Sequence, residues 1–242
     1  MTSIGIFGNL GRMGRAIEAA IPRTGGSFAG GIDHGGDASA LARSADVLVD
    51  FSAPGALDRH LTAAQAAATP IVIGTTGLTG AHHRRIDEAA RDIAVLQTGN
   101  TSLGIAMLAA LVKDAASRLG IDWDVEVLEM HHRAKVDAPS GTALMLGDAA
   151  AEGRGSDLSD LSVVGRAGLT GERTDGTIGF ASLRGGTVAG DHSVIFAGNG
   201  ERITLSHQAE SRDIFAHGAI RAALWLAGQQ PGRYTMNAVL GL

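Results

Sequence analysis

Through its first hundred residues the chain alternates short, nearly continuous apolar runs with segments whose apolar positions recur at helical spacing. The runs SIGIFG, SFAGGID, ADVLVDFS, PIVIGTTG and IAVLQTGN read as strands buried on both faces, as parallel strands are. Between them GRMGRAIEAAI, GALDRHLTAAQAAA and GAHHRRIDEAARD read as helices, the first two stopped by Pro22 and Pro70. Alternation at this spacing predicts right-handed βαβ units, hence an α/β fold with a doubly wound parallel sheet. Near residue 100 the pattern changes. SLGIAMLAALVKDAASRLG reads as a long helix and WDVEVLEMHH as a strand, and a further helix begins near Ser140. LSVVGRAG, TIGFASLRGGTVAG, HSVIFAG and RITLSHQAE then follow as strands joined by glycine turns, which predicts a mostly antiparallel sheet. The end, SRDIFAHGAIRAALWLAGQQPG, is an amphipathic helix with a stop. Two domains are expected, 1–100 and 101–210, the second of α+β type.

Composition narrows the chemistry. The 242 residues are 45% hydrophobic, enough for packed cores, and the absence of cysteine excludes disulfides, thiolate catalysis and cysteine-ligated metals. A net charge of −5 gives no global attraction to nucleic acid or anionic membranes. No apolar stretch reaches the length of a membrane span, and the N-terminus lacks the cationic and apolar regions of a secretory leader. A cytoplasmic protein is expected, with neither nucleic acid nor membrane as partner.

Gly8, Gly11 and Gly14 fall where the first strand turns into the first helix. A pyrophosphate needs closely approaching backbone N–H groups and the positive end of a helix, which this arrangement offers. Asp33 closes the second strand, where a carboxylate can accept both hydroxyls of an adenosine ribose and so favours NADH. Arg12 and His34 lie close enough in sequence to offer charge to a 2′-phosphate, which keeps NADPH open. The loops Gly74-Thr75-Thr76 and Thr98-Gly99-Asn100-Thr101 each close a parallel strand and are expected to line the nicotinamide half of the cleft.

The densest chemistry is EMHHRAKVDAPSGTA, Glu129 to Ala143. Ser140 is a good N-cap, so the N–H groups of Gly141 and Thr142 fall at a helix start and, with the Thr142 hydroxyl, form a carboxylate receptor. His132 and Lys135 add positive charge to the same anion, which points to a small dianionic substrate. His131 and His132 are neighbours at a strand end and point to opposite faces, so they take different roles and do not share a metal; no third ligand stands at a recognisable spacing. The other pair, His82 and His83, lies on a charged helix with no glycine loop and reads as a solvated surface.

GRMGR, VDFS, IGTTG, GNTSLG, RGGTVAGDHSV, SRDIFAHGAIRAALWL and above all EMHHRAKVDAPSGTA resemble the 4-hydroxy-tetrahydrodipicolinate reductase (dihydrodipicolinate reductase) family, in order along nearly the whole chain. The resemblance implies a Rossmann-like cofactor domain, completed by 211–242, and an α+β substrate domain whose open mixed sheet builds a homotetramer. It implies NADH- or NADPH-dependent reduction of a dianionic cyclic imine in diaminopimelate and lysine biosynthesis, without a metal. Carried onto this chain, His131 and Lys135 match the family's proton donors. His132, Ser140, Gly141 and Thr142 match the substrate-binding motif. Gly8, Asn9, Leu10, Gly11, Arg12, Met13, Asp33, Gly74, Thr75, Thr76 and the Thr98–Thr101 loop match the cofactor contacts. Two departures stand out: Thr101 replaces the Phe or Met often found against the nicotinamide, and the connection from Asp33 to Asp46 is short. Two other readings stay open, another nicotinamide-dependent imine or amino-acid-derived acid dehydrogenase, and a nucleotide-binding sensor without turnover.

Overall fold

In the computed structural model, which describes all 242 residues, the chain runs β1 (Ser3–Phe7), α1 (Arg12–Ala20), β2 (Ser27–Ile32), α2 (Ala38–Ser44), β3 (Val47–Asp50), α3 (Leu57–Ala66), β4 (Ile71–Ile73), α4 (Gly80–Ala89), β5 (Ala94–Gln97) and α5 (Leu103–Leu119). It continues through β6 (Asp124–His131), α6 (Gly141–Gly153), α7 (Leu158–Leu161), β7 (Ser162–Val164), β8 (Ile178–Arg184), β9 (Asp191–Gly198), β10 (Glu201–Gln208), α8 (Asp213–Leu226), β11 (Gly232–Tyr234) and α9 (Met236–Leu240). Two units result: Met1–Leu103 with Asp213–Leu242, and Gly104–Arg212.

The first unit is built on a parallel sheet of order β11-β5-β4-β3-β1-β2. Its central strands are apolar throughout because both faces are covered: all of Val47–Asp50 and Ile71–Ile73 is buried. Phe7, Leu48, Leu57, Leu61, Ile73 and Ile86 form the heart of one core layer. β2 departs from the expected double burial; it is the sheet's edge and none of its residues is fully buried. Three elements of this unit escape the periodicity reading, α9 near the C-terminus among them. α2 is a short helix capped by Asp37, whose carboxylate accepts from Ala40 N at 3.0 Å, and β11 is a three-residue outer strand beside β5. β1 pairs with both β2 and β3, so the strand order reverses there. Open α/β sheets take ligands beyond the carboxyl ends of strands at such a point.

The second unit has a five-stranded sheet of order β10-β9-β6-β8-β7. β9 is antiparallel to β6 and β10, whereas β8 is parallel to β6 and β7. The sheet is therefore mixed, not mostly antiparallel. β8 and β9 follow each other in sequence yet do not pair, because β6 lies between them; its regular alternation places Val125, Val127, Glu129 and His131 on the buried face and suits the centre. Helices α5 and α6 cover that face through Ile105, Leu108, Val112, Leu146 and Ala150, packed on Val125, Ile178, Phe180 and Phe196. No helix is long and apolar enough to cross a membrane.

Candidate active site

The turn after β1 has the shape a nucleotide phosphate requires. Gly8 adopts φ +79°, and a Cβ there would lie 2.7 Å from Phe51 O, so glycine is needed for both the turn and the approach to β3. Gly14 lets α1 press on the loop: a Cβ would come within 2.2 Å of Gly8 O and 2.5 Å of Asn9 Cα. Gly11 is the N-cap of α1 and no side chain caps that helix start, which leaves its first N–H groups facing outward for an anion. Asp33, just past β2, accepts from Leu10 N at 3.3 Å and from His34 N at 2.8 Å, so it braces the loop while its carboxylate stays exposed. Leu10, Arg12 and His34 are exposed beside it. This cradle fits a dinucleotide.

The other strand-end loops are ordered by their own polar groups. Thr75 is buried and bonds back to β3, whereas Thr76 is exposed. Thr98 Oγ1 donates to Asn100 O at 2.7 Å and accepts from Asn100 N at 3.1 Å, which folds the Thr98–Asn100 loop on itself around Gly99. Thr101, like Thr75, is buried and bonded to a neighbouring element. It is 2% exposed, its hydroxyl donates to Phe215 O of α8 at 2.7 Å, and its carbonyl packs against Gly218. Its side chain is engaged with α8.

In the second unit the strand end and the helix start are joined by one carboxylate. Glu129, 1% exposed on β6, accepts from His131 Nδ1 at 2.6 Å and from Ser140 N at 3.2 Å. Arg184 on β8 grips the same carboxylate with both guanidinium nitrogens at 2.8 and 2.9 Å, a bidentate fork. Burial pushes the Glu129 pKa up, but the hydrogen bonds from Arg184, His131 and Ser182 outweigh it and hold it at about 2. The carboxylate fixes the His131 tautomer: Nδ1 carries the proton given to Glu129, and Nε2 is the working nitrogen. That Nε2 makes no hydrogen bond within the chain and lies beside Gly190, where a Cβ would stand 3.0 Å away.

Ser140 caps α6 as expected, its hydroxyl oxygen accepting from Ala143 N at 3.1 Å. The same oxygen lies 3.2 Å from Nε2 of His192 on β9. His192 is 4% exposed, stands edge-on to His131 with ring centroids 5.0 Å apart, and has no partner at Nδ1. Burial and the nearby positive charge of His131 lower its pKa to about 4. A bare lone pair is more easily buried than an orphan N–H, so the favoured tautomer donates Nε2–H to Ser140 and leaves the serine's own proton to be given elsewhere.

His132 is held by an arginine. It lies past the end of β6 and its Nε2 accepts from Arg212 Nη2 at 2.8 Å, so it presents a ring nitrogen and no charge. Desolvation and the cations Arg212, His131, Lys135 and Arg184 lower its pKa. Lys135 Nζ is paired with both oxygens of Asp137 at 2.8 and 2.9 Å. Arg212 places a guanidinium beside His132. Glu129, Arg184, His192 and Arg212 contact the candidate residues and were not singled out from the sequence. Glu129 was within reach, since positions i and i+2 of a strand share a face. No group of three or more His, Asp or Glu side chains converges as a metal-ligand set.

A doubly wound unit with an uncapped glycine turn, followed by a mixed-sheet unit with an oriented histidine at a helix start, defines a class of pyridine-nucleotide oxidoreductases. Models of the N-terminus and the C-terminus of dihydrodipicolinate reductase match residues 2–101 and 104–240. The chain belongs to this family. It is 56% identical over 246 residues to the 4-hydroxy-tetrahydrodipicolinate reductase of Zymomonas mobilis subsp. mobilis, covering 99% of this chain and 97% of that one. The corresponding protein of Acidiphilium cryptum is 50% identical over 240 residues, with the same coverage of 99% and 97%. Among solved structures, a dipicolinate-bound dihydrodipicolinate reductase from Paenisporosarcina sp. TG-14 has the same fold, with a TM-score of 0.78 at 22% identity over 98% of this chain and 99% of that one. An engineered D-amino acid dehydrogenase bound to NADP+ is more distant, at a TM-score of 0.57 and 16% identity over 99% and 95% of the two chains.

Proposed function

We propose that this chain reduces 4-hydroxy-tetrahydrodipicolinate, by way of dihydrodipicolinate, to tetrahydrodipicolinate in diaminopimelate and lysine biosynthesis. Membership of the family supports the reaction. The observation that carries the site assignment is the single carboxylate of Glu129, which holds the proton-bearing ring of His131 and the first residue of the anion-receiving helix at once.

The residues divide the work as follows. Gly8 to Met13 and the uncapped start of α1 hold the dinucleotide pyrophosphate, and Asp33 holds the adenosine ribose. The exposed Asp33 carboxylate favours NADH, while Arg12 and His34 leave room for NADPH. Bound nicotinamide supplies the hydride that adds to C4 of the conjugated imine left after water departs. A substrate carboxylate docks on the helix start at Gly141 and Thr142 and accepts a hydrogen bond from the Ser140 hydroxyl, whose O–H is left free to donate when His192 donates to its oxygen. Lys135 and Arg212 supply positive charge to the dianion, and His132 carries a hydrogen-bonding nitrogen. As electrons reach the ring nitrogen, Lys135, or His131 in its imidazolium form through Nε2–H, delivers a proton there, directly or through a water. During that step Nδ1–H stays on Glu129, which stabilises the imidazolium side of the transfer. We also infer a homotetramer, because the second sheet has helices on one face and leaves Leu183 and Ile203 exposed on its strands.

The test supplies substrate in place from pyruvate and aspartate semialdehyde with a dipicolinate synthase, and follows the loss of reduced nicotinamide absorbance with NADH and with NADPH. Synthase-dependent oxidation, faster with NADH, is expected. Protein that binds NADH but oxidises it with no cyclic imine is a sensor and overturns the reading.

A further inference from the structure

A second buried charged network lies in the first unit, outside every residue assigned above except Thr75. Asp50, the last residue of β3, is fully buried, and its two oxygens have four partners. Oδ1 accepts from Ser52 N at 2.9 Å, Ser52 Oγ at 2.6 Å and Thr75 Oγ1 at 3.0 Å, and Oδ2 accepts from Nδ1 of His60 on α3 at 2.8 Å. Thr75 Oγ1 also accepts from Ser52 N at 3.1 Å, closing a ring between the ends of β3 and β4. His60 is 3% exposed and lies flat on Phe7, the last residue of β1, with centroids 3.9 Å apart and planes within 4°. Arg59 Nη2 approaches His60 Nε2 at 3.5 Å, which makes Nε2 the acceptor and Nδ1 the proton carrier.

Burying a carboxylate is costly unless all its lone pairs are used, and packing alone would be served as well by an apolar pair. This network does something that packing does not. It ties together the carboxyl ends of β1, β3 and β4, the three strands that carry the glycine turn, the Ser52 turn and the Gly74–Thr76 loop. We propose that Asp50 and His60 are positioning residues for the nicotinamide end of the bound dinucleotide, acting through Ser52 and Thr75 to hold the strand-end loops in one register. The proposal rests on the assignment of these loops to the cofactor.

The test compares wild type with His60→Phe, which keeps a ring on Phe7 but removes the donor to Asp50, and with His60→Gln, whose amide offers a donor again. NADH affinity is read by fluorescence titration of the full chain, dipicolinate affinity by calorimetry, and turnover with 4-deuterated and unlabelled NADH. His60→Phe is expected to weaken NADH binding about tenfold, leave dipicolinate binding unchanged and raise the isotope effect on kcat, since a loosened nicotinamide makes hydride transfer slower. His60→Gln is expected to recover most of each. If His60→Phe lowers only the melting temperature, with NADH affinity and isotope effect as in wild type, the network is purely structural and the proposal fails. If His60→Phe does not fold, Asp50→Asn carries the test with the same expected outcome and the same overturning one. Wild-type protein that fails to bind NADH would overturn the cofactor assignment itself, a result distinct from either.

Discussion

Glu129 Oε2 lies 2.6 Å from Nδ1 of His131, and the other oxygen of the same carboxylate takes the Ser140 N–H at 3.2 Å. The His131 ring and the N-cap of α6 are thereby both set by one side chain buried to 1% exposure. Arg184 makes this affordable by supplying a bidentate partner for a charge that burial alone would neutralise.

Glu129→Gln should separate the two units' tasks. The amide nitrogen must face Arg184 together with either His131 or the Ser140 N–H, so buried hydrogen bonds become a clash of donors. A stability loss of roughly 2–4 kcal/mol is expected. With His131 no longer held in one tautomer, kcat should fall about 10²-fold, at the low end of what general acid–base help contributes. NADH affinity should not change, because the nucleotide cradle lies in the other unit. Steady-state kinetics with an NADH titration on the folded variant checks this; unaltered kcat would remove Glu129 from any role in orienting His131.

Ser140→Ala removes both the cap of α6 and the hydroxyl beside His192. Loss of the cap should cost about 1 kcal/mol. The informative effect is on binding: affinity for dipicolinate should drop more than affinity for picolinate, which lacks one of the two carboxylates. Equal losses for both ligands in calorimetry would mean that Ser140 shapes the helix without meeting the second carboxylate.

Much of this was legible in the chain because it follows from period and punctuation. Four buried residues in a row at Val47–Asp50 read as a central parallel strand, and Gly8 and Gly14 stand where the close approach of α1 to β1 forbids a side chain. Ser140 was readable as a cap from its type and place. What was not legible is pairing between distant strands. Nothing local says that β6 separates β8 from β9, and so nothing local puts Arg184 or His192 next to Glu129; these meet only through the register Glu129 to Ser182 on one side and Glu129 to His192 on the other. The surroundings of His132 and Thr101 were out of reach for a related reason. Their partners, Arg212 and Phe215, lie 80 and 114 residues away.

The pH dependence of stability in the second unit should carry the signature of His192. Its folded pKa of about 4 lies below the ordinary value of 6.5, so between these two values the unfolded chain binds a proton that the folded chain refuses. Stability is therefore lost as pH falls from about 6.5 to about 4, with no further loss from this group below that. The full shift corresponds to about 3 kcal/mol. Glu129 adds a separate loss at lower pH: its carboxylate, depressed from 4.5 to about 2, contributes stability that disappears as pH falls through that interval. Urea unfolding at a series of pH values should give a shallower slope between pH 6.5 and 4 in His192→Asn than in wild type. Parallel slopes would mean that His192 is not held uncharged by its surroundings.

Thr101→Val decides whether position 101 meets the cofactor at all. Valine matches threonine in shape, so the substitution removes little but the hydroxyl that donates to Phe215 O at 2.7 Å. Phe215 lies in the first turn of α8 and its carbonyl keeps the intrahelical N–H four residues on, so losing the hydroxyl should cost only about 0.5–1 kcal/mol. Gly218 already lies so close that a Cβ on it would fall 1.8 Å from Thr101 O, so the loop cannot shift toward α8 to compensate. If the side chain serves only this contact, Thr101→Val should lower the unfolding midpoint while its affinity for NADH and its KM for NADH match wild type. A variant of unchanged stability with weakened NADH binding would instead place Thr101 against the nicotinamide, and the turn of its side chain toward α8 would then have to be given up in the bound state.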